Sequence, residues 1–269
     1  MPANASKASR YGLRFAALGY LFVLLAAPVA LVFYRSFEHG LAAAWASVTT
    51  PEAISAFKLT LLMVAIAVPV NTVFGVGCAL LLVRTRMRGK AILGAVVDIP
   101  FAISPIVVGL ALILVYGQEG WAGGWLADHG IQVIFSVPGM VLATIFVSLP
   151  FVVREVVPVL REVGTEQEQA ARTLGASGWQ TFWRITLPAI RWGVAYGVIL
   201  TTARALGEFG AVSVVSGKLA GQTETLTLQV EDRFHAFDRT FPYAASVVLA
   251  VLALLMLLSL TLLDRRRTA

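Results

Sequence analysis

Six apolar runs of about twenty residues or more decide what this chain can fold into. They cover about residues 14–34, 57–83, 91–116, 133–153, 191–216 and 241–263. A helix rises about 1.5 Å per residue, so each run is long enough to cross a hydrocarbon layer of ~30 Å. Only 13% of the residues are charged, against roughly 25% in soluble domains. No soluble-looking block exceeds the polar segment at 154–190. The expectation is an all-α membrane protein, with six transmembrane helices in one transmembrane domain spanning 1–269. The first run follows a basic segment with Lys7 and Arg10, yet is longer than the core of a signal peptide. It reads as an uncleaved span.

Individual spans carry marks of their own. Asn71 lies at lipid depth and should face other helices, because an exposed amide is costly there. Pro100 and Pro105 predict a bent or broken third span, tolerated where neighbours satisfy the freed backbone groups. Asp98 reads as a charge-paired residue near the basic loop at 84–90. Gly193 and Gly197 form a small-xxx-small face for close helix approach, read as packing within the bundle ahead of a dimer seam. The single cysteine, Cys78, lies inside an apolar run, where packing is its simplest role.

The net charge of +6 does not imply nucleic acid, because the cations gather at the ends of the runs. With an inside N-terminus, fifteen of the 21 Lys and Arg lie in inside segments and five in outside segments. Arg204, within a span, completes the set. Positive charge concentrates on the cytoplasmic side. Six spans with both termini in the cytoplasm are therefore expected, which also puts the 154–190 segment inside.

Within that segment, residues 165–188 read as a hairpin of two short helices. Thr165 and Glu168 stand at capping-box spacing, as do Ser177 and Gln180. Gly175 suits the left-handed residue that ends a helix. Trp179, Phe182 and Trp183 fall on one face of the second helix, which is expected to dock more by shape than by one salt bridge. Pro188 is expected to stop the helix before the next run.

The chain encodes no chemical engine of its own. Gly89-Lys90 and Gly217-Lys218 are its only Gly-Lys pairs, and neither has P-loop spacing or a following Ser or Thr. His39, His129 and His235 do not stand at metal-ligand spacing. No nucleophile elbow or carboxylate pair in a pocket is evident, so neither an enzyme nor a metal site is expected. Two charges need an explanation. Counted from Arg191, Arg204 lies roughly 20 Å into its span, with Glu208 at i, i+4 beside it. They either line or gate a polar path or form a neutralised pair inside the bundle.

The hairpin resembles the coupling loop of ABC importer permeases: Glu-Ala-Ala, three residues, Gly, nine residues, Ile-x-Leu-Pro. Here the matching residues are Gln169, Ala170, Ala171, Gly175, Ile185, Leu187 and Pro188. The first position departs from the pattern, with Gln169 in place of Glu and the nearest carboxylate, Glu168, one residue early. One residue is about 100° of helix, so Glu168 does not simply replace it. The run Ala203-Arg-Ala-Leu-Gly-Glu-Phe-Gly-Ala-Val-Ser-Val-Val-Ser-Gly217 is similar to the fifth-helix signature of sulfate and molybdate permeases. Thr225-Leu-Thr-Leu-Gln-Val-Glu231, Asp98-Ile-Pro-Phe-Ala-Ile-Ser-Pro105 and Pro150-Phe-Val-Val-Arg-Glu155 resemble the W-type permeases of sulfate/thiosulfate importers.

The resemblance implies a type I (MetI-like) importer permease in the bacterial inner membrane, moving sulfate or thiosulfate inward. Its implied partners, besides lipid, are a homologous T-type permease, two cytoplasmic ATPase subunits and an extracytoplasmic sulfate-binding protein. ATP and Mg would be bound by the ATPase, with no cofactor in this chain. Glu168, Gln169, Ala170, Ala171, Gly175, Ile185, Leu187 and Pro188 become its coupling residues, and Arg204 and Glu208 its path or gate. A molybdate or tungstate permease is the alternative within the class, and a secondary anion transporter or channel the alternative outside it.

Overall fold

A computed structural model describes residues 7–238 and 240–268, and among these all regular structure is helical. Two compact units emerge. One holds the residues up to Thr50 together with Val230–Val248, and the other holds Pro51–Gln229 and the chain from Leu249. The helices in chain order are α1 (Lys7–Leu21), α2 (Ala27–Phe37), α3 (Leu41–Val48), α4 (Pro51–Arg84), α5 (Lys90–Ala102), α6 (Pro105–Tyr116) and α7 (Gly123–Asp128). They continue as α8 (Val137–Val163), α9 (Glu166–Thr173), α10 (Gly178–Thr181), α11 (Leu187–Leu206), α12 (Gly210–Val215), α13 (Leu226–His235) and α14 (Phe241–Thr268).

Four helical stretches are long and apolar enough to cross a membrane: Leu13–Phe37, Pro51–Arg84, Val137–Val163 and Gly178–Leu206. A fifth arises if the bent pair α5 and α6 is one span. The run at 241–263 is helical, but only Phe241–Met256 is counted as its apolar part, and several side chains beyond it lie outside the described residues. In the first unit, Leu13–Phe37 passes through a π turn at Phe22–Ala26, and Arg35 pairs with Glu38 at 2.8 Å just past its end.

The second unit is built on α4 and α8. Leu59 and Met63 share one apolar cluster with Met140, Ala143 and Val147, whereas Val76 and Ala79 share another with Val152, Val156 and Leu160. Both helices therefore run in the same direction, and the chain between them must return to the far end. The α5–α6 pair makes that return: Val97 of α5 packs on Cys78 and Val153, and Val108 of α6 joins the opposite cluster. The pair bends by 113° at Ile103-Ser104. Pro105 opens α6 at its first turn, where a missing N–H costs nothing. The expected break in the third span is thus present.

Gly193 and Gly197 bring α11 onto α8. A methyl group at Gly197 would stand 2.8 Å from the Cα of Val152, and one at Gly193 would stand 3.0 Å from the carbonyl oxygen of Glu155. The small-residue face packs within the chain, as the sequence favoured. Asn71 is fully buried and donates to the Ile145 carbonyl at 3.1 Å and to Ser148 Oγ at 2.8 Å. Asn71→Leu is expected to lower stability by about 1 kcal/mol, read as a lower thermal midpoint in detergent. Asp98 pairs with Arg154 at 3.1 Å rather than with the loop at 84–90. The Arg154 guanidinium also lies 4.8 Å from the centre of the Phe101 ring.

Two expectations about the fifth span fail. It does not run from 191 to 216, because α11 ends at Leu206 and α12 starts afresh at Gly210. Gly207 caps the old helix, and Glu208, between the two, accepts the Ala211 N–H at 2.9 Å, so its carboxylate satisfies a free N–H in the first turn of the new one. Nor does Pro188 stop a helix. The stretch Gly178–Leu206 is continuous, and Phe182–Thr186 form a π turn in which the Leu187 N–H reaches back to the Phe182 carbonyl. The widened turn, with Pro188 at the second position of α11, absorbs the missing proline N–H.

Candidate functional site

The hairpin at 165–188 sits at one end of the second unit, where α4 and α8 finish. Its two helices form for different reasons. Ser177 caps α10 with a full capping box: its hydroxyl accepts the Gln180 N–H at 3.2 Å, and Gln180 Oε1 accepts the Ser177 N–H at 2.9 Å. Gly175 stands at φ +88°, its N–H bonds Arg172 and the Ala176 N–H bonds Ala171. Those bonds close α9 through a left-handed residue.

The capping box expected at Thr165 and Glu168 is absent. Thr165 makes no side-chain cap bond, and its hydroxyl accepts from Gln169 Nε2 at 3.0 Å. Glu168 turns the other way. Its Oε1 accepts from Arg84 Nε at 3.1 Å and from Thr186 Oγ1 at 2.9 Å. The side chains of Arg84 and Glu168 are 14% and 12% exposed, so the pair is well shielded. Salt screening is weak for such a pair.

The surface of the hairpin divides into two faces. Ala171 is buried, Leu187 packs on the Val76–Leu160 cluster, and Ile185 is half-buried. Gln169, Ala170, Gly175 and Pro188 are exposed. The aromatic trio splits as well. Trp179, Phe182 and Trp183 touch one another with ring centres 5.3–6.3 Å apart. Phe182 packs inward on the same cluster, whereas Trp179 and Trp183 face solvent at 71% and 49% exposure. Leu174, at the tip, is 88% exposed. Sequence reasoning passed over Leu174, although an apolar residue directly before a helix-ending glycine was its signal. Exposed apolar side chains gathered at a hairpin tip mark an interaction surface.

Arg204 and Glu208 form an ion pair, Nη1 to Oε2 at 2.7 Å, with side-chain exposures of 30% and 1%. Because α11 ends at Leu206, the pair bridges a helix end rather than lying along a helix. Arg204 therefore stands in the last turn of α11, not partway along a longer span. The Glu208 carbonyl also accepts from Thr227 Oγ1 at 2.8 Å. No cluster of three metal-ligating side chains occurs among the described residues.

In the second unit, α4 and α8 side by side, the bent α5–α6 pair and the hairpin at their end make the type I ABC importer permease fold. The chain is similar over 96% of its length to 96% of a chain in the crystal structure of a bacterial ABC transporter that imports the acidic polysaccharide alginate. The TM-score is 0.79 and the identity 18%. Residues 71–269 match the family described as binding-protein-dependent transport system inner membrane component, and the chain belongs to that family. It is 51% identical over 96% of its length to 93% of the sulfate transport system permease protein CysW of Synechocystis sp.. It is 38% identical over 92% of its length to 89% of the sulfate transport system permease protein CysT of Escherichia coli (strain K12).

Proposed function

We propose that this chain is the W-type permease subunit of an ATP-driven importer that carries sulfate or thiosulfate inward across the bacterial inner membrane. The observation that carries the proposal is the 51% identity to a CysW permease along nearly the whole of both chains. The hairpin geometry supports the drive: an exposed apolar tip lies beside an inward face fastened to the spans. The lower likeness to CysT supports pairing with a second, T-type permease, and the family itself depends on a binding protein. Two cytoplasmic ATPase subunits, which hold the ATP and Mg, take up the hairpins of the two permeases. The excess of Lys and Arg in alternate segments supports cytoplasmic termini and a cytoplasmic hairpin.

In this scheme the binding protein selects the anion, and ATP binding closes the ATPase pair and shifts the hairpins. The spans then reorient. Arg204 and Glu208 serve as a gate on the path. The support is their asymmetry: the carboxylate is sealed, while part of the guanidinium stays accessible to a passing anion.

Membrane vesicles holding the complete importer test the proposal. Labelled sulfate added with its binding protein is expected to accumulate with ATP and not with a non-hydrolysable analogue. Uptake driven by an ion gradient without ATP would overturn it, and uptake of molybdate in place of sulfate would overturn its substrate. Within the hairpin, Gly175→Val puts a β-branched residue at φ +88°, a strain of about 1–2 kcal/mol. It is expected to leave the chain inserted but to lower uptake per ATP hydrolysed. Wild-type uptake would count against the coupling role.

A further inference from the structure

Glu168 is the carboxylate nearest the place where the coupling-loop pattern has its acid, and it points into its own chain. It meets Arg84, the last residue of α4, and the contact is more than an ion pair. Arg84 uses all three of its nitrogens. Nε bonds Glu168 Oε1 at 3.1 Å, Nη1 bonds the Leu160 carbonyl at 3.0 Å, and Nη2 bonds the Gly164 carbonyl. Leu160 lies in the last turn of α8, and Gly164 directly follows it. Thr186 closes the set from the π turn that leads into α11, donating to the same carboxylate oxygen at 2.9 Å. One guanidinium thus joins the ends of α4 and α8 to the hairpin's first helix and, through Glu168, to the root of α11.

What surrounds this knot gives it its role. A cavity of about 670 Å³ opens between the last turns of α4 and the hairpin, lined by Phe74, Leu81, Thr181 and Phe182 together with Arg84 and Glu168. There, α4 and the hairpin do not close on each other by apolar packing alone. Charge-assisted hydrogen bonds are shorter and stronger than neutral ones, and a planar guanidinium fork holds direction as well as distance. Lysine at 84 has one nitrogen and could not serve three acceptors set around a plane.

We propose that Arg84 and Glu168 are positioning residues that tether the coupling hairpin to α4 and α8, so that displacement of the hairpin moves both spans together. The inference rests on the proposed function, since it assumes that an ATPase moves the hairpin. It assigns the two faces of the hairpin different duties. Leu174 and Trp179 meet the partner, and Glu168 passes the motion inward. A neutral Gln169 at the pattern's acidic position fits this division, because the nearby carboxylate is engaged within the chain.

The test measures ATP hydrolysis and labelled sulfate uptake in the same proteoliposomes carrying the complete importer. Arg84→Gln and Glu168→Ala are each expected to cut uptake per ATP hydrolysed by about tenfold or more, the scale of a lost charge-assisted bond. Arg84→Lys, which keeps charge but not the fork, is expected to fall well short of wild type. Should Arg84→Gln prevent assembly, Glu168→Ala decides the matter, because it removes the oxygen that both Arg84 and Thr186 reach. A wild-type ratio in Glu168→Ala overturns the tether. Leu174→Asp, on the exposed tip, separates the tether from its premise. If Leu174→Asp uncouples and the Arg84 and Glu168 variants do not, the tether alone fails. If Leu174→Asp changes neither hydrolysis nor uptake, the coupling role of the hairpin fails with it.

Discussion

Arg204→Ala is expected to cost the folded permease about 3–5 kcal/mol and to abolish uptake, because it strands a carboxylate that is almost fully buried. Glu208 is 1% exposed at its side chain, and Arg204 Nη1 lies 2.7 Å from it. Its other oxygen accepts the Ala211 N–H, which steadies the start of α12 without neutralising the charge. The cost should appear as a lower thermal midpoint in detergent and as poor recovery of the assembled importer. Pairing Arg204→Ala with Glu208→Gln removes the stranded charge and leaves an amide oxygen for Ala211. That double variant is expected to regain most of the stability and little of the uptake, the result that the proposed gate requires. Recovery of both would make the pair purely structural.

Gly197→Val is the second large effect. The new methine carbon would stand 2.8 Å from the Cα of Val152 and 3.3 Å from its Cγ2. Backbone at that distance cannot rotate away as a side-chain tip can, so α11 must leave α8. Overpacking of this kind costs about 1–3 kcal/mol, and here it falls between two spans that close approach holds together. Gly94→Val makes the control, since nothing lies within 4 Å of a carbon added there. Thermal midpoints are expected to fall for Gly197→Val and to hold for Gly94→Val. Equal midpoints would mean that the α8–α11 contact yields readily.

Much of this architecture was legible in sequence because membranes simplify the code. Apolar run length marks four of the spans, and prolines at 100 and 105 mark the break in a fifth, both through local chemistry. Gly175 and the Ser177–Gln180 box were legible for the same reason, since every partner lies within a few residues. The failures share the opposite cause. Glu168 looked like a cap because Thr165 is three residues away. Its actual partners, Arg84 and Thr186, are 84 and 18 residues distant, and only packing brings them near. Pro188 looked like a stop because a π turn, which accommodates it, has no plain sequence mark. The end of α11 at Leu206 was hidden inside a continuous apolar run, where Glu208 acts as a helix start rather than as a rung in a longer helix. Phe182 separated from Trp179 and Trp183 for a geometric reason: Phe182 and Trp183 are neighbours about 100° apart on the helix, so one faces inward and the other outward.

The claim on which the functional proposal turns is that force enters through the hairpin tip. Site-directed cross-linking addresses it directly. In a chain carrying Cys78→Ala, a cysteine is placed by Leu174→Cys at the tip or by Trp121→Cys at the opposite end of the bundle, where the side chain is 93% exposed. The assembled importer is then treated with a short reagent that carries a maleimide at one end and a photoreactive group at the other, with and without ATP. The expected result is capture of an ATPase subunit from position 174, altered in yield by ATP, and none from position 121. Capture of the ATPase from position 121, with none from 174, would contradict it.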